Sequence, residues 1–162
     1  LIDRCNWQLA QLLRYSKPTR ISEAIGPLRV VLEGYNRIYG GPAKDAVPIL
    51  YFAVALSKTP GEEERALREF HDGLSHIDIG PDAPVKNLLW AKSNLARLLR
   101  RLNRVTQAEE QEAFARNWVI GHPYAFPPSE IRTTIQDERD NTGAHIVDHP
   151  SLVEFFNSIN EL

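Results

Sequence analysis

Large and small apolar residues recur along this chain at a fixed interval. Leu9-Ala10-Gln11-Leu12-Leu13-Arg14 returns as Leu95-Ala96-Arg97-Leu98-Leu99-Arg100, and Phe52-Ala53-Val54-Ala55-Leu56-Ser57 stands midway. Leu9, Phe52 and Leu95 are each 43 residues apart, and Ala10, Ala53 and Ala96 coincide, as do Leu13, Leu56 and Leu99. A second signature follows each phrase: Ala24, Leu28 and Val31; Ala66, Phe70 and Gly73; Ala108, Glu112 and Ala115. Offsets of four and three place such residues on one helix face. Glu112 is a polar departure from that pattern. Each unit therefore reads as helix, turn, helix, and a period of this length marks stacked units that cannot bury their apolar faces alone.

The pattern predicts helices over 2–16, 20–39, 44–57, 60–77, 84–102 and 106–120. Pro18 stops the first, because proline lacks the N–H and clashes with the preceding turn. Pro27 kinks the second or moves its start, and Pro48 falls within the first turn of the third, where proline is tolerated. Thr59 with Glu62, and Thr106 with Glu109, have capping-box spacing. Asn103 suits a left-handed helix terminus. Gly40-Gly41-Pro42 and Gly80-Pro81-Asp82-Ala83-Pro84 separate the units. No alternating strand run of useful length occurs.

The paired helices resemble the tetratricopeptide repeat. The match is clearest at Asn94-Leu95-Ala96-x-x-Leu99 followed by Asn103-Arg104-x-x-x-Ala108. Ala96 replaces the family glycine, Leu99 the aromatic, and Asn103 the turn glycine; the unit-closing proline is displaced to Pro123. The period of 42–43 is closer to the long-helix variants of the kinesin light chain group than to the 34-residue repeat. Other helical-hairpin arrays, the armadillo type included, share such a period. The expected fold is an all-α solenoid of about three antiparallel hairpins with a C-terminal capping tail. Residues 1–120 form the array, in units of about 1–41, 42–83 and 84–120, and 121–162 form the tail. In the tail, helices are expected at 128–138 and 151–160, with an extended stretch over 139–148.

Composition narrows function only slightly. The chain has 162 residues, 19 Lys and Arg against 21 Asp and Glu, one cysteine and no methionine. Beginning at Leu1 without methionine, it reads as a piece of something longer. Cys5 alone allows no internal disulfide and no four-cysteine zinc site, and an intracellular compartment, cytoplasmic or nuclear, is the expectation. No apolar run of 18 residues suggests a membrane span. Charge is uneven: residues 1–57 carry seven basic against four acidic groups, and residues 118–162 two against seven.

Candidate chemistry is sparse. His145 and His149 are four apart, but Gly143 and Pro150 argue against one helix through them, so no metal and no cofactor is expected. No nucleophile motif or phosphate-binding glycine loop appears, and the chain is not expected to be an enzyme. Arg97, Arg100, Arg101 and Arg104 cluster, but in a chain of no basic excess, so nucleic acid is not the expected partner. In a tetratricopeptide-like array the first helix of each pair lines a concave face. The resemblance puts Trp7, Gln11, Arg14, Tyr15, Tyr51, Lys58, Trp90, Asn94, Arg97, Arg100 and Arg101 there. Aromatics, amides and arginines suit a protein or peptide with apolar anchors and acidic groups. The acidic tail of the same chain is a second candidate for that face, lying on it or simply sealing the last repeat. The alternative is a regulatory or substrate-recognition segment of a larger enzyme.

Overall fold

The computed structural model describes residues 2–16, 20–40, 46–77 and 85–122, and every regular element among them is helical. Helix α1 spans Ile2–Tyr15. A 3-10 turn, Ile21–Ala24, leads into α2, Ile25–Tyr39. Then come α3, Ala46–Ser57; α4, Glu63–Ser75; α5, Val85–Arg101; and α6, Val105–Gly121. The six expected helices are all present; α2 begins five residues later than expected, and the other ends shift by three residues at most. The inter-unit linkers beyond Gly40, and the helices and extended stretch expected after residue 122, lie outside the described residues.

The helices fall into two compact units, one holding α1–α4 and the other α5 and α6. In the first, α1 packs on α2, α2 on α3 and α3 on α4, with the 3-10 turn against α1 and α3. Helix α3 is its centre. Its sequence is apolar all round, which is the signature of a helix with no solvent face, and every side chain from Pro48 to Ser57 is buried. Ser57, the polar exception, donates from Oγ to the Val54 carbonyl at 2.7 Å. In the second unit α5 packs on α6. Leu89, Ala115 and Val119 are buried there, with Val85, Phe114 and Trp118 packed around them.

The repeated small residues mark the tightest places. Ala10, Ala53 and Ala96 are all buried, as are the three triplets of the second helices, Glu112 included. At Gly73 a Cβ would stand 2.8 Å from Leu50 Cδ2 and 3.2 Å from Ile49 Cγ2. Glycine there lets α4 approach α3 closely, and Leu50 fills the space its side chain leaves.

Two helix ends behave as expected. The 3-10 turn delays α2 to Ile25, so Pro27 sits in its first turn. Asn103 has φ 57°. Around it the Arg104 N–H donates to the Leu99 carbonyl at 2.8 Å and the Asn103 N–H to that of Arg100 at 3.0 Å. That pair of bonds is a Schellman motif, which satisfies carbonyls the helix leaves open. The two capping boxes do not form. Thr59 Oγ1 donates backwards to the Ala55 carbonyl at 3.0 Å, closing α3 instead of opening α4. Thr59-Pro60-Gly61-Glu62 is a turn in which the Glu62 N–H meets the Thr59 carbonyl at 3.2 Å and Gly61 has φ 85°. Proline second and a left-handed glycine third are what a type II turn requires. Helix α6 starts at Val105, so Thr106 lies inside it, and the cap residue, Arg104, makes no side-chain cap bond.

Candidate functional site

The first unit gathers aromatics and arginines along one face of α1. Arg4, Trp7, Gln11 and Arg14 lie three or four residues apart, which stacks them on one side of a helix. The Trp7 ring lies 5.3 Å from that of Tyr51, tilted at 54°. Arg14 stands over two rings, its Cζ 4.8 Å from the centre of Tyr15 and 4.7 Å from that of Tyr51. It donates from Nη1 to the Tyr15 hydroxyl at 3.0 Å and also to the Tyr51 hydroxyl. A guanidinium over an aromatic face gains from the ring quadrupole. Burial pushes the Tyr51 phenol up to about 12, against the downward pull of the Arg14 charge. Tyr51 is therefore a neutral hydroxyl at neutral pH, while the Tyr15 ring stays exposed.

From Trp7 the face continues into a groove of about 360 Å³ between α1, α2 and the start of α3. Arg4 and Trp7 form one wall, Tyr35, Ile38 and Tyr39 the other, and Val31 and Pro48 complete the lining. Tyr35 and Tyr39 stack with ring centres 5.8 Å apart. Ile38 and Tyr39 are more than two-thirds exposed. Among the described residues lining this groove none is acidic. An apolar trough with a cation at its rim is suited to an apolar side chain that carries a carboxylate beside it.

The structure thus brings Trp7, Gln11, Arg14, Tyr15 and Tyr51 together. Lys58 follows the last turn of α3 and is half-buried. The α5 residues stand differently. Trp90, Asn94 and Arg97 are buried, at 2%, 2% and 3% exposure, and offer a ligand no open surface. Asn94 donates from Nδ2 to the Trp90 carbonyl at 2.9 Å, so part of its polarity is spent on its own helix. Arg100 is held by Glu112, Nε to Oε1 at 2.5 Å and Nη2 to Oε2 at 2.7 Å. The pair is nearly buried, with the side chains 13% and 5% exposed. The carboxylate raises the Arg100 pKa, chiefly through those hydrogen bonds. Arg100 is accordingly a structural ion and not an exposed groove charge, and Glu112 departs from the apolar pattern because it receives that ion. Arg101 is exposed on the last turn of α5.

Sequence reasoning missed Tyr35, Ile38 and Tyr39. Their spacing of three and four residues at the end of α2 is a second helical stripe, readable once both helices of a pair are considered. Among the described residues no three His, Cys, Asp or Glu side chains gather where they could hold a metal ion, and no helix is long and apolar enough to cross a membrane. His145 and His149 lie outside those residues. Searches against protein-family models, curated proteins and solved structures return no match.

Proposed function

We propose that this chain binds a protein or peptide through the aromatic–arginine face of α1, α2 and α3, and that its three helix pairs are units of a long-period, tetratricopeptide-like array. The repeat at 42–43 residues and the pairing of α1 with α2, α3 with α4 and α5 with α6 support the array. One observation carries the binding reading: Arg14 held over Tyr15 and Tyr51, joined through Trp7 to the groove of Arg4, Tyr35 and Tyr39. Such surfaces recognise partners through buried aromatic anchors and charge-assisted hydrogen bonds. The ligand is a segment with an apolar anchor and acidic neighbours, and the role is recognition, not catalysis.

Titration with fluorescent peptides tests this. One peptide carries a single Phe flanked by Glu; its control carries Lys at the flanking positions. The Glu peptide should bind and the Lys peptide should not. Arg14→Glu should remove binding while leaving the melting temperature within a few degrees, since a partly exposed charge contributes little to stability. Equal binding of both peptides, or full affinity in Arg14→Glu, would overturn the assignment.

A further inference from the structure

Helix α1 carries an apolar stripe on another side. Cys5, Leu9 and Leu12 lie four and three residues apart and are all exposed, Leu9 at 45% and Leu12 at 70%. The 43-residue register maps them onto Pro48, Phe52 and Ala55 in α3 and onto Ala91, Leu95 and Leu98 in α5. All six of those residues are buried. The same positions are thus covered in two helices and bare in the first.

In the first unit α2 supplies part of that cover. Helix α2, the second helix of the preceding pair, packs on α3. Pro48 shares one groove with Val31 and Tyr35 of α2, and Phe52 lines another between Leu32 of α2 and Arg65 of α4, whose guanidinium lies 5.2 Å from the centre of its ring. We propose that the Cys5–Leu9–Leu12 stripe is a docking face for a helical hairpin of the same repeat class placed ahead of α1, whose second helix covers it as α2 covers α3. The covering helix carries apolar residues at the places of Leu32 and Tyr35. In α6 the corresponding residues are Arg116 and Val119, and Arg116 is exposed. A second copy stacking through α6 would set that charge against Leu9 and Leu12, so a separate hairpin is the better fit. The inference rests on the repeat register, not on the peptide groove.

The test adds a copy of residues 1–43, with its cysteine changed to Ser, directly ahead of residue 1 of the full chain. The duplicated phrase then precedes the original at the native spacing. Cys5 of the original helix reports cover through its rate of alkylation by iodoacetamide. Docking slows alkylation by about tenfold or more, raises the melting temperature and adds helix by circular dichroism. Leu12→Glu in the original helix reverses all three, while in the 162-residue chain it leaves the melting temperature nearly unchanged, because Leu12 is exposed. Unchanged alkylation, or an added segment that stays unfolded, overturns the proposal. So does a 162-residue chain that sediments as a dimer with Cys5 protected and becomes monomeric on Leu12→Glu, because the occupant is then a second copy. Peptide titration of the same proteins reads the groove separately, so loss of one surface is distinguishable from loss of the other.

Discussion

Arg14 and Arg100 close the same repeated phrase in two different helices, and they are used in opposite ways. Arg100 is locked into a two-point bond with Glu112 and is nearly withdrawn from solvent. Arg14 lies across the rings of Tyr15 and Tyr51 and stays half-buried at the edge of an aromatic face. The difference comes from the second helix of each pair. The position occupied by Glu112 in α6 is Leu28 in α2, which is buried and carries no charge. Ser57, at the same place in α3, turns back on its own helix. A repeat register places a side chain; the residue opposite decides whether its charge holds the fold together or faces a ligand.

The sharpest way to break the comparison is to remove the carboxylate. Glu112→Ala leaves Arg100 without its buried partner and should destabilise the fold by about 3–5 kcal/mol, measured by urea unfolding. Replacing both residues with Leu should recover most of that loss, since a packed apolar pair often matches a buried ion pair. Arg14→Ala should lose only about 1 kcal/mol. Equal losses at the two arginines would erase the distinction.

Alkaline unfolding sharpens the Arg14 side. Tyr51 has a folded pKa of about 12 against an ordinary 10.0. Its contribution is fully present below the unfolded value and is lost as pH rises through the folded one. The chain should therefore lose about 2–3 kcal/mol of stability between about pH 10 and 12, and Tyr51→Phe should lack that part of the decline. Parent and variant falling in parallel across this range would mean that Tyr51 is not enclosed by Trp7 and Arg14.

The smallest effect concerns a carboxylate without a two-point partner. Burial raises the Glu69 pKa, and the nearby Arg65 only partly offsets it. That raised value is a penalty on the charged form: absent in acid and present once pH rises through the folded pKa. Glu69→Gln should raise the melting temperature slightly at pH 7 and leave it unchanged well below the carboxylate range. A fall at pH 7 would make Glu69 an ion-pair member like Glu112.

The helices and their pairing were legible because apolar spacing and proline placement act locally. Pro27 moved the start of α2, and Asn103 ended α5 through a backbone conformation that few residues adopt. The threonine caps were misread because spacing cannot say which way a hydroxyl turns, and that of Thr59 turns back to Ala55. The site was legible only in part. Periodicity tells which residues share a face, so Trp7, Gln11 and Arg14 were found together. It does not tell what covers that face, so Trp90, Asn94 and Arg97 looked open on α5. Buried Ser93 and Asn94 bond to carbonyls four residues back in their own helix, which lets polar residues occupy positions that a hydropathy pattern assigns to a surface.

The two short turns have a kinetic consequence. Residues 58–62 alone separate α3 from α4, and residues 102–104 alone separate α5 from α6. The packing within each pair is therefore made between segments close along the chain, where loop-closure entropy is small. Chains dominated by such local contacts fold in microseconds to milliseconds. Each pair can search for its partner helix without waiting for distant parts of the sequence to arrive.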